Sequence, residues 1–126
     1  MLYYVTEYPY FDLNTARQLL PWLRNKLSEM KKIKYLTEEA LMKGDKEALI
    51  QYTIQIDRIV KEITQKGIII RDPDMGLVDF PAVINNRPAY LCWKIDEKDI
   101  EFWHYAEEGF RGRKKINGKE DILALT

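Results

Sequence analysis

Apolar residues near the start of the chain fall at Leu13, Ala16, Leu20, Leu23, Leu27 and Met30, in alternating steps of three and four. That spacing puts one continuous stripe on an α-helix and has the form of a heptad seam, the pattern of a coiled coil. Asp12 or Asn14 is suited to cap this helix, because a short side-chain acceptor takes up backbone N–H groups that lack an intrahelical partner. Pro21 falls inside the stripe and removes one backbone hydrogen bond; since the seam continues through it in phase, a kink is expected there. Past Met30 the stripe slips to Ile33, Leu36 and Ala40, and Lys43-Gly44 ends the helix, with glycine supplying the left-handed terminal position. Asp45 then caps a second helix carrying Leu49, Tyr52, Ile56, Ile59 and Ile63, widened by Val60 and stopped at Gly67. So short a connection folds the helices back antiparallel. At 1.5 Å per residue they are roughly 45 and 30 Å long, so the first outreaches the second and needs further cover.

After Gly67 the pattern changes to strands. Ile68 to Ile70 is β-branched and is closed by Asp72-Pro73-Asp74-Met75-Gly76, which has strong turn chemistry. Leu77 to Val83 follows as a strand, and Pro81 within it predicts an edge position or a bulge. Asn85-Asn86-Arg87 reads as a hairpin turn, Ala89 to Ile95 as the next strand, Asp96 to Asp99 as a turn, and Ile100 to Tyr105 as a further strand. Helical spacing at Ile100, Trp103 and Glu107 competes for that last element, but its aromatic content favours strand. Leu2 to Val5 is one more short strand candidate. The expected class is α+β: a long antiparallel helical hairpin (12–67) packed with a small antiparallel β-meander (68–113), followed by a tail (114–126), in one domain.

Composition narrows the classes. With 126 residues, 46% of them hydrophobic, the chain can bury a single core. Lys+Arg and Asp+Glu cancel at 20 each, which disfavours bulk attraction to nucleic acid or to a membrane. No stretch approaches the roughly 18 apolar residues of a membrane span, and MLYYVTEYPYFD lacks the basic start of a signal peptide. One cysteine forms no intrachain disulfide, so a cytoplasmic setting is expected.

Candidate chemistry gathers between Gly76 and Arg113, which hold two of the three tryptophans, the only histidine and the only cysteine. His104 titrates near neutrality and is the natural acid–base residue; the blander role is a half-buried donor to a carbonyl or an acid. Asp79, between Val78 and Phe80, is expected to face solvent by alternation unless it pairs with His104 or Arg113. Trp93 and Trp103 are suited either to stacking on a planar ligand or to sealing the sheet against the helices. Cys92, mid-strand beside Leu91 and Trp93, reads as a small core residue. No metal is expected: one histidine and one cysteine do not complete a Cys/His zinc site, and Asp72, Asp74 and Asp79, which could hold Mg2+ or Ca2+, lack an EF-hand glycine and are accounted for by a Pro-Asp turn. Arg111 to Lys119 holds five bases and no acid, whereas Lys94 to Gly109 holds six acids against two lysines. The two segments are placed to neutralise each other, and an RNA-binding role for Arg111–Lys119 is the minor alternative.

Leu19-Leu20-Pro21, Asp72-Pro73, Gly76 to Ala82, Tyr90-Leu91-Cys92-Trp93, Trp103-His104, Gly109-Phe110 and Gly112-Arg113 together carry a resemblance over nearly the whole chain. In these motifs the chain resembles the small prokaryotic family called domain of unknown function 2203. The resemblance implies no activity, no cofactor and no role for any residue. The heptad seam makes the leading expectation a non-enzymatic interaction or assembly module, homo-oligomeric through its helices and most simply a homodimer, with a protein or small molecule as partner. The second is a small-molecule or acid–base site formed by Asp79, Trp93, Trp103, His104 and Arg113, with Asp79, His104 and Arg113 converging in space.

Overall fold

In the computed structural model, residues 10–125 are described; the Leu2 to Val5 strand candidate lies outside them. Helix α1 spans Leu13–Lys43 and α2 spans Lys46–Gln65. Asp12 caps α1 through a hydrogen bond from the Thr15 amide to its carboxylate, and the Thr15 hydroxyl oxygen accepts from the Asp12 amide in return. Pro21 sits on the exposed side, and the helix runs through it as one element. Gly44, at φ 68°, ends α1, and the Asp45 side chain starts α2 by accepting from the Ala48 amide.

Five strands follow, β1 (Ile69–Asp72), β2 (Leu77–Ile84), β3 (Arg87–Lys94), β4 (Phe102–Tyr105) and β5 (Lys114–Lys115), paired in sequence order and all antiparallel. Helical hairpin plus meander gives the expected α+β fold. The β2–β3 turn has Asn85 and Asn86 at φ 56° and 63°, the left-handed pair that a two-residue hairpin turn requires. Gly76 is forced twice over, since its φ is 64° and a Cβ there would lie 2.6 Å from Ile95 Cγ2.

Pro81 does not make β2 an edge strand. It pairs with Tyr90 on β3, while its carbonyl, turned away from β3, accepts from the Phe11 amide at 2.7 Å. β1 reaches only as far as Asp79, so the missing Pro81 N–H falls where no partner strand runs. The bulge is in β1 instead: Ile70 pairs with Val78 and Asp72 with Leu77, which leaves Arg71 as the extra residue. The tail joins the sheet as well, because Lys114–Lys115 closes it beside β4 and Ile122 bridges to Ile84.

Pairing fixes the two faces of the sheet. Val78, Phe80, Ala82 and Ile84 share one face with Ala89, Leu91, Trp93 and Trp103, and these pack in one core with Ala16, Leu20, Leu23, Leu27, Ile59 and Ile63 of the helices. Burying such side chains stabilises the fold by roughly 1.5–3 kcal/mol each. The opposite face carries Asp79, Cys92, Tyr90, Phe102 and His104.

Candidate functional site

The outer face would meet water if the chain stopped at β4. The segment after Tyr105 instead turns back over it, through a short 3-10 turn at Phe110–Gly112, before β5 begins. Beneath that cover Asp79, Cys92 and His104 retain only 2%, 1% and 3% of their exposure. Alternation does place Asp79 opposite Phe80, but the far side of the strand is not solvent, which corrects the solvent-facing expectation.

Asp79 and His104 lie on β2 and β4, which are not neighbours; β3 runs between them. Cys92 stands directly opposite Asp79, and Tyr90 directly opposite His104. Two strand spacings amount to roughly 9.6 Å, too far for most side chains to span over a bulky middle residue. The small Cys92 side chain leaves room, and the imidazole reaches diagonally across it. His104 Nε2 lies 3.2 and 3.3 Å from the two Asp79 carboxylate oxygens. Its Nδ1 contacts the Tyr105 carbonyl at 2.9 Å.

Arg71, the bulged residue of β1, donates from Nε to Asp79 Oδ2 at 2.8 Å and stacks its guanidinium over Tyr90. Burial pushes the Asp79 carboxyl upward, and the hydrogen bonds from His104 and Arg71 outweigh it, so the carboxyl titrates below its ordinary range. The Asp79 contact, aided by the Cys92 sulfur and the Tyr105 carbonyl, lifts His104 to about 10 against the opposing effect of burial. At neutral pH the ring is an imidazolium.

Arg113 does not join this pair. Its guanidinium donates to Glu97 Oε1 at 2.6 Å and lies over the Phe102 ring at 4.0 Å, on the Cys92 side of the cluster. Its Nε is buried without a hydrogen-bond partner. The expected convergence therefore holds for Asp79 and His104, with Arg71 where Arg113 was expected. Trp93 and Trp103 belong to the other face: Trp93 is wholly buried in the core with Nε1 bonded to the Glu97 carbonyl, and Trp103 bonds Glu120. Nothing planar can reach both of them and His104 from one side of the sheet.

A cavity of about 260 Å³ opens over the cluster, walled by Arg71, Leu77, Ala106, Glu108, Gly109 and Phe110. Glu108 is held by Lys114 Nζ at 2.6 Å and by the Tyr105 amide, both of which lower its pKa. One Asp79 carboxylate oxygen, Cys92 Sγ and a His104 ring nitrogen all lie within 4.8 Å of one another, a donor set of the kind that ligates metals. The sequence expectation of no metal weighed histidine with cysteine and the carboxylates by themselves, and did not combine Asp79, Cys92 and His104 from three neighbouring strands. Arg71 was missed as well. Its signal was available: Arg71 and Asp79 flank the Asp72–Gly76 turn, so the hairpin had to bring them onto adjacent strands.

Asp72 serves its turn, its carboxylate accepting from the Asp74 and Met75 amides. Among the described residues, no helix is long and apolar enough to cross a membrane. A family model described as "Uncharacterized conserved protein (DUF2203)" matches residues 9–116. No curated protein and no solved structure matches the chain.

Proposed function

The chain belongs to the DUF2203 family, a membership that brings no activity with it, and from the site geometry we propose that the protein binds a small anionic metabolite in the pocket over Asp79 and His104. The observation that carries this reading is the charge at the pocket floor. One buried carboxylate, Asp79, sits between two cations, His104 and Arg71, beneath an opening to solvent. Glu108 at the wall is already neutralised by Lys114. The excess positive charge lies in a concave recess, where a field is focused. The volume of about 260 Å³ falls below that of pockets for drug-sized ligands, so the ligand is a compact molecule with a carboxylate or phosphate group. His104 acts here as a fixed cation. With both ring nitrogens engaged and its pKa near 10, it is a poor general base at neutral pH.

Isotope-labelled, metal-free protein titrated with inorganic phosphate and with malonate at pH 7 tests this. Saturable NMR shifts are expected for the His104 ring and the amides of Ala106 to Phe110, with a Kd of about 1 mM or tighter. Arg71→Gln should weaken binding at least tenfold, roughly the 1.4 kcal/mol of one charge-assisted contact. Shifts confined to other surfaces, or no saturation, would overturn the reading.

A second reading, association of two copies through the helices, is favoured by one observation. Where α1 and α2 project beyond the sheet, Tyr35, Leu41, Met42, Ile50 and Ile54 are exposed, Met42 at 89%. Apolar surface gathered on a helical hairpin suits self-association. Sedimentation at micromolar concentration tests it: a dimer dispersed by Met42→Lys and Ile54→Lys together supports the reading, and a monomeric parent chain removes it.

A further inference from the structure

We propose that the floor of the pocket is a binding site for one divalent transition-metal ion, of the zinc class, ligated by Asp79, Cys92 and His104 with its fourth position open to the cavity. This inference rests on the pocket reading, since the ion would form the pocket floor. Around a tetrahedral zinc ion with bonds of 2.0 to 2.3 Å, ligand atoms stand roughly 3.3 to 3.8 Å apart. Nε2 and the Asp79 oxygens already have that separation, at 3.2 and 3.3 Å. The widest gap in the trio is within 4.8 Å, which side-chain rotations of about 1 Å close. The rigid sheet holds all three Cα atoms, and the ligands come from three consecutive strands.

The surroundings match what ligands of a metal require. A ligating histidine almost always passes its second ring N–H to a carbonyl or carboxylate, which fixes the tautomer and aims the other nitrogen at the ion. His104 Nδ1 has that partner in the Tyr105 carbonyl at 2.9 Å, which leaves Nε2 for the metal. Arg71 Nε holds Asp79 by Oδ2, leaving Oδ1 available. A thiolate, an imidazole and a carboxylate form a borderline-soft set suited to zinc, cobalt or ferrous iron, and poorly suited to magnesium or calcium. The cavity beside the trio, lined also by Ala106, Gly109 and Phe110, provides both an entry path and a place for an exogenous ligand.

Charge conservation makes the exchange feasible. Without metal, the cluster contains a carboxylate, an imidazolium, a thiol and the Arg71 guanidinium, for a net charge of one positive. On metal uptake the Nε2 proton and the thiol proton leave to solvent as the metal–nitrogen and metal–sulfur bonds form. Two protons depart and one dication arrives, so the net charge is unchanged. The residual positive charge on Arg71 then lies beside the open position, where an anionic ligand would complete the coordination.

The chain has a single cysteine and a single histidine, so spectroscopic signals of thiolate or imidazole ligation have only one possible origin. Tag-free full-length protein, stripped with a chelator, should bind one Co2+ per chain and develop a thiolate-to-cobalt charge-transfer band. Zn2+ should displace the cobalt, and the His104 ring resonances should shift on saturation with Zn2+. Cys92→Ser should lose the band and weaken binding by about 100-fold or more, at or beyond the range for losing an outer-shell partner. Asp79→Asn should weaken binding comparably while keeping the band at high cobalt. Circular dichroism identifies variants that fail to fold, and the His104 resonance test needs no variant. Cobalt binding without a sulfur band, an unmoved His104 ring at saturating zinc, or affinity no tighter than millimolar would overturn the proposal. Because phosphate and malonate are titrated into metal-free protein, retained anion binding with no metal binding defeats the metal site alone. The reverse result defeats the anion reading and leaves the metal site standing.

Discussion

The two faces of the sheet are buried to nearly the same depth and are held by opposite physics. Phe80 and Asp79 are consecutive residues of β2, and they retain 0% and 2% exposure. Phe80 packs edge-on against Phe11 with ring centroids 5.3 Å apart, and its face is closed by two helices. Asp79 is closed over by a loop and a 3-10 turn, and its carboxylate is bound there by the buried His104 and the half-exposed Arg71. Apolar burial on the inner face stabilises through area alone. Charged burial on the outer face requires a buried partner for the carboxylate, and a well-packed hydrophobic substitute would serve stability as well or better. Burial of the pair on the outer face is therefore not explained by gain of stability alone.

Deleting one large residue from each face breaks the comparison most directly. Trp93→Ala should cost about 3–5 kcal/mol in urea unfolding, the usual loss for a large aromatic removed from a close-packed core. Its effect on anion or metal affinity, measured on the folded fraction, should be small. Asp79→Ala should cost about 3 kcal/mol by leaving His104 without its partner, and should abolish ligand binding. The more discriminating variant replaces both members of the pair. Asp79→Leu with His104→Phe should return to within about 1 kcal/mol of the parent, since apolar substitution of a buried ion pair is commonly neutral. A double variant as unstable as Asp79→Ala would mean that the outer pair is there for folding.

The pH profile of stability sharpens the same contrast, because the buried residues of the inner face carry no ionisable group. His104 has its pKa raised from 6.5 to about 10 in the folded chain, so its contribution is complete below pH 6.5 and is lost as pH rises toward 10. Asp79 is shifted the other way, and its contribution is present above pH 3.8 and is lost as pH falls through its lowered folded value. Both act in full between about 3.8 and 6.5, and they describe one shared interaction. Metal-free protein should therefore lose on the order of 2 kcal/mol between pH 7 and pH 9. His104→Gln should flatten that slope. An unchanged slope in the variant would place the titration elsewhere.

The inner face was readable from the sequence and the outer face only in part, for a physical reason. Periodicity reports apolar residues that alternate with polar ones, and Leu20, Leu23, Leu27, Ile59 and Ile63 obey it because water lies on the other side of their helices. In β2 the rule fails, since both sides of the strand are covered and Leu77 to Ala82 are all buried. Alternation therefore sent Asp79 to solvent. The helix caps at Asp12, Gly44 and Asp45 and the Asn85-Asn86 turn were legible because each depends on local backbone chemistry. The Asp79–His104 contact was anticipated from the uncommon position of each residue. That Cys92 lies beneath it was not, because the register of β3 between β2 and β4 depends on pairings that a single strand does not encode. Arg113 was expected to converge with Asp79 and His104. Glu97 took it instead, from a turn whose acids had been read only as bulk charge.

The smallest expected effect on stability separates the two faces most finely. Arg71→Gln removes one of the two partners of Asp79, but the Arg71 side chain is 43% exposed, so solvent screens the pair and replaces much of what is lost. The cost should be about 1 kcal/mol or less, and His104 stays in place to hold the carboxylate. Anion affinity should nevertheless fall at least tenfold, because the substitution removes the positive charge at the pocket wall. An equally exposed cation such as Arg17, paired with Asp99 at 2.8 Å, provides the control. Arg17→Gln should match Arg71→Gln in stability and leave anion binding unchanged. If the two variants lose anion affinity equally, the attraction belongs to the overall surface charge and not to the pocket. If Arg71→Gln alone unfolds the sheet, the bulge in β1 depends on that ion pair, and Arg71 holds the strand instead of a ligand.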